Sequence, residues 1–285
     1  MNARLYFIHA LSPLHAGTGQ GVGAIDLPVA REKATGLPYL PGSSLKGVLR
    51  DRCTDPRKVA VFGPETDNAS DHAGSAQFSD ARLLLLPIRS LAGTFAWVTS
   101  PYVLRRFLRD ARDAQAEGAP AVVPVPTKMN ECWVAQAGCQ IQIASKPPRV
   151  YLEDLDLAPA ADKAVDDWAA WLGPRIFPGD AAWQEMLKGR LCIVHDDTFT
   201  FLLDTATEIT ARIKLQEDKK TVQKGGLWYE EALPTETVLF GLIVATPIKA
   251  TEDDVFNVLS ALTSQTMQMG GKATVGRGLC RMQIA

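Results

Sequence analysis

The chain is predicted to fold as α+β, with a ferredoxin-like or RRM-like βαββαβ core that carries large insertions. Three observations predict it. The outer parts read strand, helix, strands, helix and, much later, strand, helix, strand. An alternating stretch from Thr207 reads as a long β-hairpin arm. Two glycine-rich segments stand at opposite ends of the chain, each beside a terminal strand candidate.

The elements follow in order. Arg4 to Leu11 reads as a strand running into the first glycine segment. Pro41 and Gly42 break the chain, and Ser43 or Ser44 is expected to cap a helix with Leu45, Val48 and Leu49 on one face and Lys46 and Arg50 on the other. Polar Lys58 to Ser75 reads as a loop; Ala81 to Ile88 and Gly93 to Val98 read as strands. Ser100-Pro101 opens a helix whose Val103, Leu104, Phe107, Leu108 and Ala111 share a face. Ala119 to Pro126 is a connector, and the stretch to Gly189 is expected to hold short strands and one or two helices around Trp168, Trp171 and Trp183, all three read as core.

Leu191 to Val194 and Phe199 to Leu203 read as strands. In the arm, Ile209, Ala211, Ile213 and Leu215 alternate with Thr210, Arg212 and Lys214, a polar tip follows, and LWYEEALP resumes the extended pattern. Thr237 to Ala245 is a further strand. Thr251 and Asp254 form a capping-box start for a helix with Val255, Val258, Leu259, Leu262 and Thr266 on its stripe. Leu279 to Ile284 is the last strand. The division is one domain over 1–285, an inserted region at 119–190 and a hairpin at 207–234.

A hydrophobic content of 46% in 285 residues supports a real core. No stretch is long and apolar enough to span a membrane, and MNARLYFIHA lacks the segments of a signal peptide. Five scattered cysteines without a C-x-x-C pair argue against structural zinc and fit a reducing cytoplasm. A net charge of −2 argues weakly against nucleic acid, but the cations cluster. Lys46, Arg50, Arg52, Arg57 and Lys58 form one group, Lys214, Lys219, Lys220 and Lys224 a second, and Lys272, Arg277 and Arg281 a third.

The first glycine segment, HAGTGQGVGAID, places Gly17, Gly19, Gly21 and Gly23 at alternate positions between His15 and Asp26. The second, GGKATVGRG, interleaves glycines with Lys272 and Arg277. Successive free N–H groups in such loops form concavities for phosphate oxygens. The pair suggests a surface that holds a polyanion.

With these residues in hand, the chain resembles the RAMP superfamily of CRISPR proteins, and within it the backbone subunits of type III-B Cmr effector complexes. The resemblance rests on motifs in order: LSPLHAGTGQGVGAID, LPYLPGSSLKGVLR, VFG with GSAQFSDARLLLLP, KLQEDKKTVQKGGLWYEEALP and GGKATVGRG. It spans nearly the whole chain outside the middle insertion. It implies an RRM-like palm and a protruding thumb hairpin. It implies head-to-tail copies along a CRISPR RNA, alongside other Cmr subunits, with thumbs interrupting the guide–target duplex at six-nucleotide intervals. It also implies an aspartate after the first strand that cuts target RNA with a divalent metal (Mg or Mn). That position falls on Asp26.

RNA carries its own nucleophile, the 2′-hydroxyl. A carboxylate can act as its base or hold a metal, so Asp26 is the candidate catalytic residue and metal ligand. His15 reads either as a proton carrier or as a hydrogen-bond partner of the loop. Glu230 and Glu231 are candidates for a second carboxylate or for solvated strand residues, and Trp228 and Tyr229 for base stacking or packing. Lys46, Arg50, Gly17, Gly19, Lys272, Arg277, Lys219 and Lys220 are candidates for RNA contacts. Three functions stay open: a metal-dependent endoribonuclease that is also a scaffold, a non-catalytic RNA-binding scaffold, and a CRISPR-RNA-processing ribonuclease.

Overall fold

The computed structural model describes residues 2–19, 21, 24–65, 67 and 70–285. Strand β1 (Asn2–Ala10) leads past β2 (Tyr39–Leu40) to helix α1 (Gly42–Arg52). A short helix α2 (Lys58–Phe62) and strands β3 (Ala76–Phe78), β4 (Ala81–Arg89) and β5 (Phe95–Thr99) follow, then α3 (Pro101–Asp113). The middle supplies β6 (Glu131–Ala135), β7 (Val150–Leu152), β8 (Leu155–Asp162), α4 (Lys163–Ile176), α5 (Ala181–Arg190) and β9 (Leu191–Val194). After α6 (Asp196–Thr205) come β10 (Glu208–Leu215) and β11 (Val222–Ala232). The chain closes with β12 (Val238–Ala245), α7 (Glu252–Thr263), β13 (Met267–Gln268) and β14 (Leu279–Ile284).

Twelve strands make one mixed sheet in the order β13-β14-β1-β12-β4-β5-β9-β6-β8-β7, with β2 on β4 and β3 on β12. The pairs β5/β9 and β6/β8 are parallel; the others are antiparallel. Leu5 to Ala10 of β1 are all buried, which a sheet with one wet face would not allow. The reason is cover on both sides. Arg4 stacks on Phe256 of α7, while Phe7 and Phe240 meet Phe107 of α3 at 6.0 and 5.0 Å between ring centroids. Phe107 also touches Trp168 and Trp171 of α4. Those tryptophans are core, as expected, and their indole N–H groups donate to Val122 and Glu117 carbonyls, which ties down the connector.

Several local expectations are corrected. Phe199 to Leu203 is helix, not strand: Phe199, Leu202 and Leu203 are buried while Phe201 is exposed, a 3.6-residue period that five residues of aromatic and apolar sequence concealed. Ser43 and Ser44 lie inside α1 and do not cap it; the Gly42 N–H donates instead to Asp80 Oδ1 (2.8 Å). The expected loop over 58–75 contains α2. The expected inserted region adds β6, β7 and β8 to the main sheet and shares its core. The Ser100-Pro101 start of α3 and the Thr251/Asp254 capping box of α7 are both present. No helix among the described residues is long and apolar enough to cross a membrane.

Candidate nucleic-acid and cleavage site

The hairpin β10–β11 stands apart from the main sheet as a two-stranded ribbon. Its register pairs Ile209, Ala211, Ile213 and Leu215 with Glu231, Tyr229, Leu227 and Val222, and pairs Thr210 and Arg212 with Glu230 and Trp228. Side chains alternate faces along a strand. One face of the ribbon is therefore apolar, and the other carries Thr210, Arg212, Trp228 and Glu230. At its root the first glycine segment docks on the free edge of β11. Leu27 N–H donates to Tyr229 O (3.0 Å) and Glu231 N–H to Leu27 O (3.0 Å).

Asp26 ends this docked segment. Its Oδ2 accepts the Tyr229 N–H (2.7 Å), and its own carbonyl accepts the Gly21 N–H (2.9 Å). The residue is exposed, and Oδ1 has no hydrogen-bond partner among the described residues. One oxygen is thus anchored and the other remains for a proton or a cation. Gly23, part of the expected alternation, lies outside the described residues.

His15 joins the two glycine segments. Its Nδ1–H donates to Glu231 O (2.6 Å), and its carbonyl accepts the Gly271 N–H (2.9 Å). A Cβ at Gly17 would collide with its ring, and one at Gly270, where φ is 70°, would meet its carbonyl at 2.5 Å. The glycines at these two positions are close-approach glycines. Buried and packed this way, His15 is a hydrogen-bond partner of the loop, one of the two readings offered by sequence. Gly19 stands in open space at φ 95°.

The structure overturns the reading of the two glutamates as solvated strand residues: both are buried and paired. Glu231 Oε1 accepts Arg31 Nη2 (2.7 Å) and Oε2 accepts the Val29 N–H (2.9 Å). Arg31 also donates to the carbonyls of Gly36 and Leu203, so it binds the root of the hairpin to the end of α6. Glu230 Oε1 accepts the Trp228 indole N–H (2.8 Å) and lies 2.9 Å from Lys272 Nζ, and Oε2 accepts Arg212 Nε (3.3 Å). Burial pushes the Glu230 carboxyl up, but hydrogen bonds and charge from Lys272, Trp228 and Arg212 outweigh it and hold it at about 2. Neither glutamate offers an unshared oxygen. Among the described residues no three His, Cys, Asp or Glu side chains converge as a metal cage.

The cations fall at separate places. Lys46 lines a cleft of about 550 Å³ with Gly42, Ser43, Phe62, Gly63 and His72, and burial together with Arg50 lowers its pKa. Arg50 is spent on Gly63 O (2.8 Å) and Glu65 (3.1 Å). Arg277, expected on the surface, is buried and donates to Glu208 (3.1 Å) and Thr210 (2.9 Å). It fastens the C-terminal loop to the hairpin. Lys219 and Lys220 are exposed at the tip. Arg31 and Arg212 were not singled out from sequence. Arg31 gave no signal; Arg212 did, since it alternates onto the same ribbon face as Glu230.

Residues 7–281 match the family model of the RAMP superfamily, and the chain belongs to that superfamily. It is 37% identical to the CRISPR system Cmr endoribonuclease Cmr4 of Pyrococcus furiosus, over 100% of this chain and 96% of the relative. The crystal structure of oligomeric Cmr4 from that organism superposes with a TM-score of 0.76 at 29% identity, covering 100% of this chain and 98% of that one. A type III-B Cmr-beta assembly bound to cognate target RNA contains a chain of the same fold, with a TM-score of 0.74 at 22% identity over 100% and 97% of the two chains.

Proposed function

We propose that this chain is the RNA-binding backbone subunit of a type III-B CRISPR effector complex, and that it cleaves complementary target RNA with Asp26 at the reacting phosphate. The neighbours β14-β1-β12-β4 are antiparallel, with α1 between β1 and β4 and α7 between β12 and β14. That is the strand order of a βαββαβ unit, which we read as the palm, with the hairpin as the thumb. Guide RNA would track Lys46 and the first glycine segment, copies of the chain would stack head to tail, and other Cmr subunits would complete the assembly.

The observation that carries the reading is the half-used carboxylate of Asp26, exposed between a glycine segment and the hairpin root. In RNA cleavage the 2′-oxygen attacks the adjacent phosphorus, its proton leaves to a base, and the P–O5′ bond breaks with a proton delivered to the 5′-oxygen. Asp26 Oδ1 would take that first proton. The donor set also fits a divalent ion held by one carboxylate together with RNA phosphate oxygens; such an ion would supply charge stabilisation at phosphorus.

The test is cleavage of a long labelled complementary RNA by the assembled complex, with and without EDTA. The wild type is expected to cut at several sites six nucleotides apart. Asp26→Ala is expected to lose on the order of 10² to 10⁴ in rate while guide loading and target binding persist. Replacing Glu217–Gly225 by a short Gly–Ser turn is expected to blur the ladder. A mutant complex that cuts at the wild-type rate would reduce the chain to a non-catalytic scaffold.

A further inference from the structure

We propose that Arg212 and Lys272, held together on the buried carboxylate of Glu230, form the binding site for the reacting phosphodiester of the target strand. This rests on the reading of the chain as a target-cleaving subunit. It assigns two catalytic cations and one positioning residue to that reaction.

The geometry is a carboxylate beneath two cations. Glu230 is 4% exposed, while the Arg212 and Lys272 side chains are 32% and 33% exposed. One cation would neutralise a buried glutamate. The second leaves a net positive charge at the surface. Arg212 uses its Nε on Glu230, and Lys272 uses one N–H; the rest of their donors are free of Glu230. A guanidinium and an ammonium fixed in this way can take two oxygens of one phosphate.

The neighbouring Arg277 shows what a purely structural cation looks like on the same loop. It is buried, and its charge is matched one to one by Glu208. Lys272 differs in backbone as well. It sits at φ 66°, in the left-handed region where glycine is the usual choice. Gly270 and Gly271 precede it directly, so the unfavourable backbone is retained at the residue that carries a cation.

The cation pair is also next to Asp26. Trp228 and Glu230 flank Tyr229, and Tyr229 supplies the N–H that anchors Asp26. One strand residue therefore separates the anchored base from the carboxylate that holds the cations, a rise of about 3.3 Å. A phosphate seated on Arg212 and Lys272 would have Asp26 within reach of the 2′-oxygen beside it. The cations would balance the charge that builds on the non-bridging oxygens as the P–O5′ bond breaks. Arg212 comes from the hairpin and Lys272 from the C-terminal loop, so the site exists only when the two are docked.

The experiment is single-turnover cleavage by the assembled complex carrying Arg212→Gln, Lys272→Gln or both, with guide loading and target binding measured on the same preparations. The double variant is expected to cut about 10²-fold more slowly with guide loading unchanged. Guanidinium added to Arg212→Ala is expected to restore part of the rate. Glu230→Gln is expected to slow cutting without altering the shape of the pH–rate profile, since a positioning residue exchanges no proton. Unchanged cleavage overturns the assignment. So does a guide-loading salt slope flattened by roughly 0.7 per cation, which would place the guide there instead.

Wild-type complex provides a reading that no folding defect can blur. Phosphorothioate at one non-bridging oxygen of the scissile phosphate is expected to slow cutting at least about tenfold in each diastereomer, without full rescue by Mn²⁺ or Cd²⁺. No effect in either diastereomer, or full rescue by the thiophilic ion, overturns the proposal. Asp26→Ala is run in parallel. If it cuts normally, the cleavage reading itself falls; if it is inactive while the cation variants are fully active, only this inference falls.

Discussion

The root and the tip of the hairpin are built from the same two strands and the same alternation, yet only the root is fixed. At the root, Glu231 holds Arg31 and the Val29 amide, Glu230 holds Trp228, Arg212 and Lys272, and Arg277 reaches Glu208 and Thr210. Toward the tip, Ile213 and Leu227 face each other across the ribbon and are each 53% exposed. The amphipathic pattern is inverted: Glu230 on the polar face is buried and its neighbours there are half-buried, while the apolar face meets solvent. Ion pairs and hydrogen bonds anchor the root of this ribbon.

That contrast can be broken most strongly with acid. Glu230 is held at about 2, below the ordinary carboxylate value of 4.5. Its contribution to stability is fully present above 4.5 and is lost as pH falls from there through about 2, on the order of 3 kcal/mol. Chemical unfolding of wild type should therefore lose stability across this window, and Glu230→Gln should give a flatter curve. A Glu230→Gln curve as steep as wild type would mean that the root is not held by this charge.

A smaller effect is expected from Glu231→Ala. It strands the Val29 N–H and removes the carboxylate from a partly exposed Arg31. The expected cost is about 2 kcal/mol, seen as a lower Tm by calorimetry and as faster amide exchange at Leu27 and Glu231. The smallest effect belongs to the tip. Ile213→Thr with Leu227→Thr should change stability by no more than about 0.5 kcal/mol, while weakening association of the chain with its assembly. A large loss of stability in that double variant would show that the apolar stripe packs within the chain.

The hairpin was legible because alternation over Ile209 to Leu215 is a local signal, and so were the caps of α3 and α7. What sequence could not show is what comes from far away. Asp26 finds its partner at Tyr229, 203 residues on, and α1 takes its cap from Asp80. The saturation of Glu230 depends on Lys272 and Arg212 arriving from two other segments. Read alone, the pair Glu230-Glu231 has the composition of a general-base site, and only its neighbours turn it into a counter-ion. The strand expected within α6 has a different cause: the five residues FTFLL, Phe199 to Leu203, are too few to separate a period of two from one of 3.6.

The sheet that is covered on both faces has an informational consequence. Its aromatic residues Phe7 and Phe240 are spent on Phe107 of α3 and present no ring to an unstacked base. On the proposed function, nucleic acid meets this subunit through backbone amides and cations in loops and at the hairpin root. Those groups see phosphate spacing, and every nucleotide has the same phosphate. A protein surface of this kind cannot prefer one guide over another. It would serve any spacer, with the choice of target left entirely to base pairing between the two RNA strands.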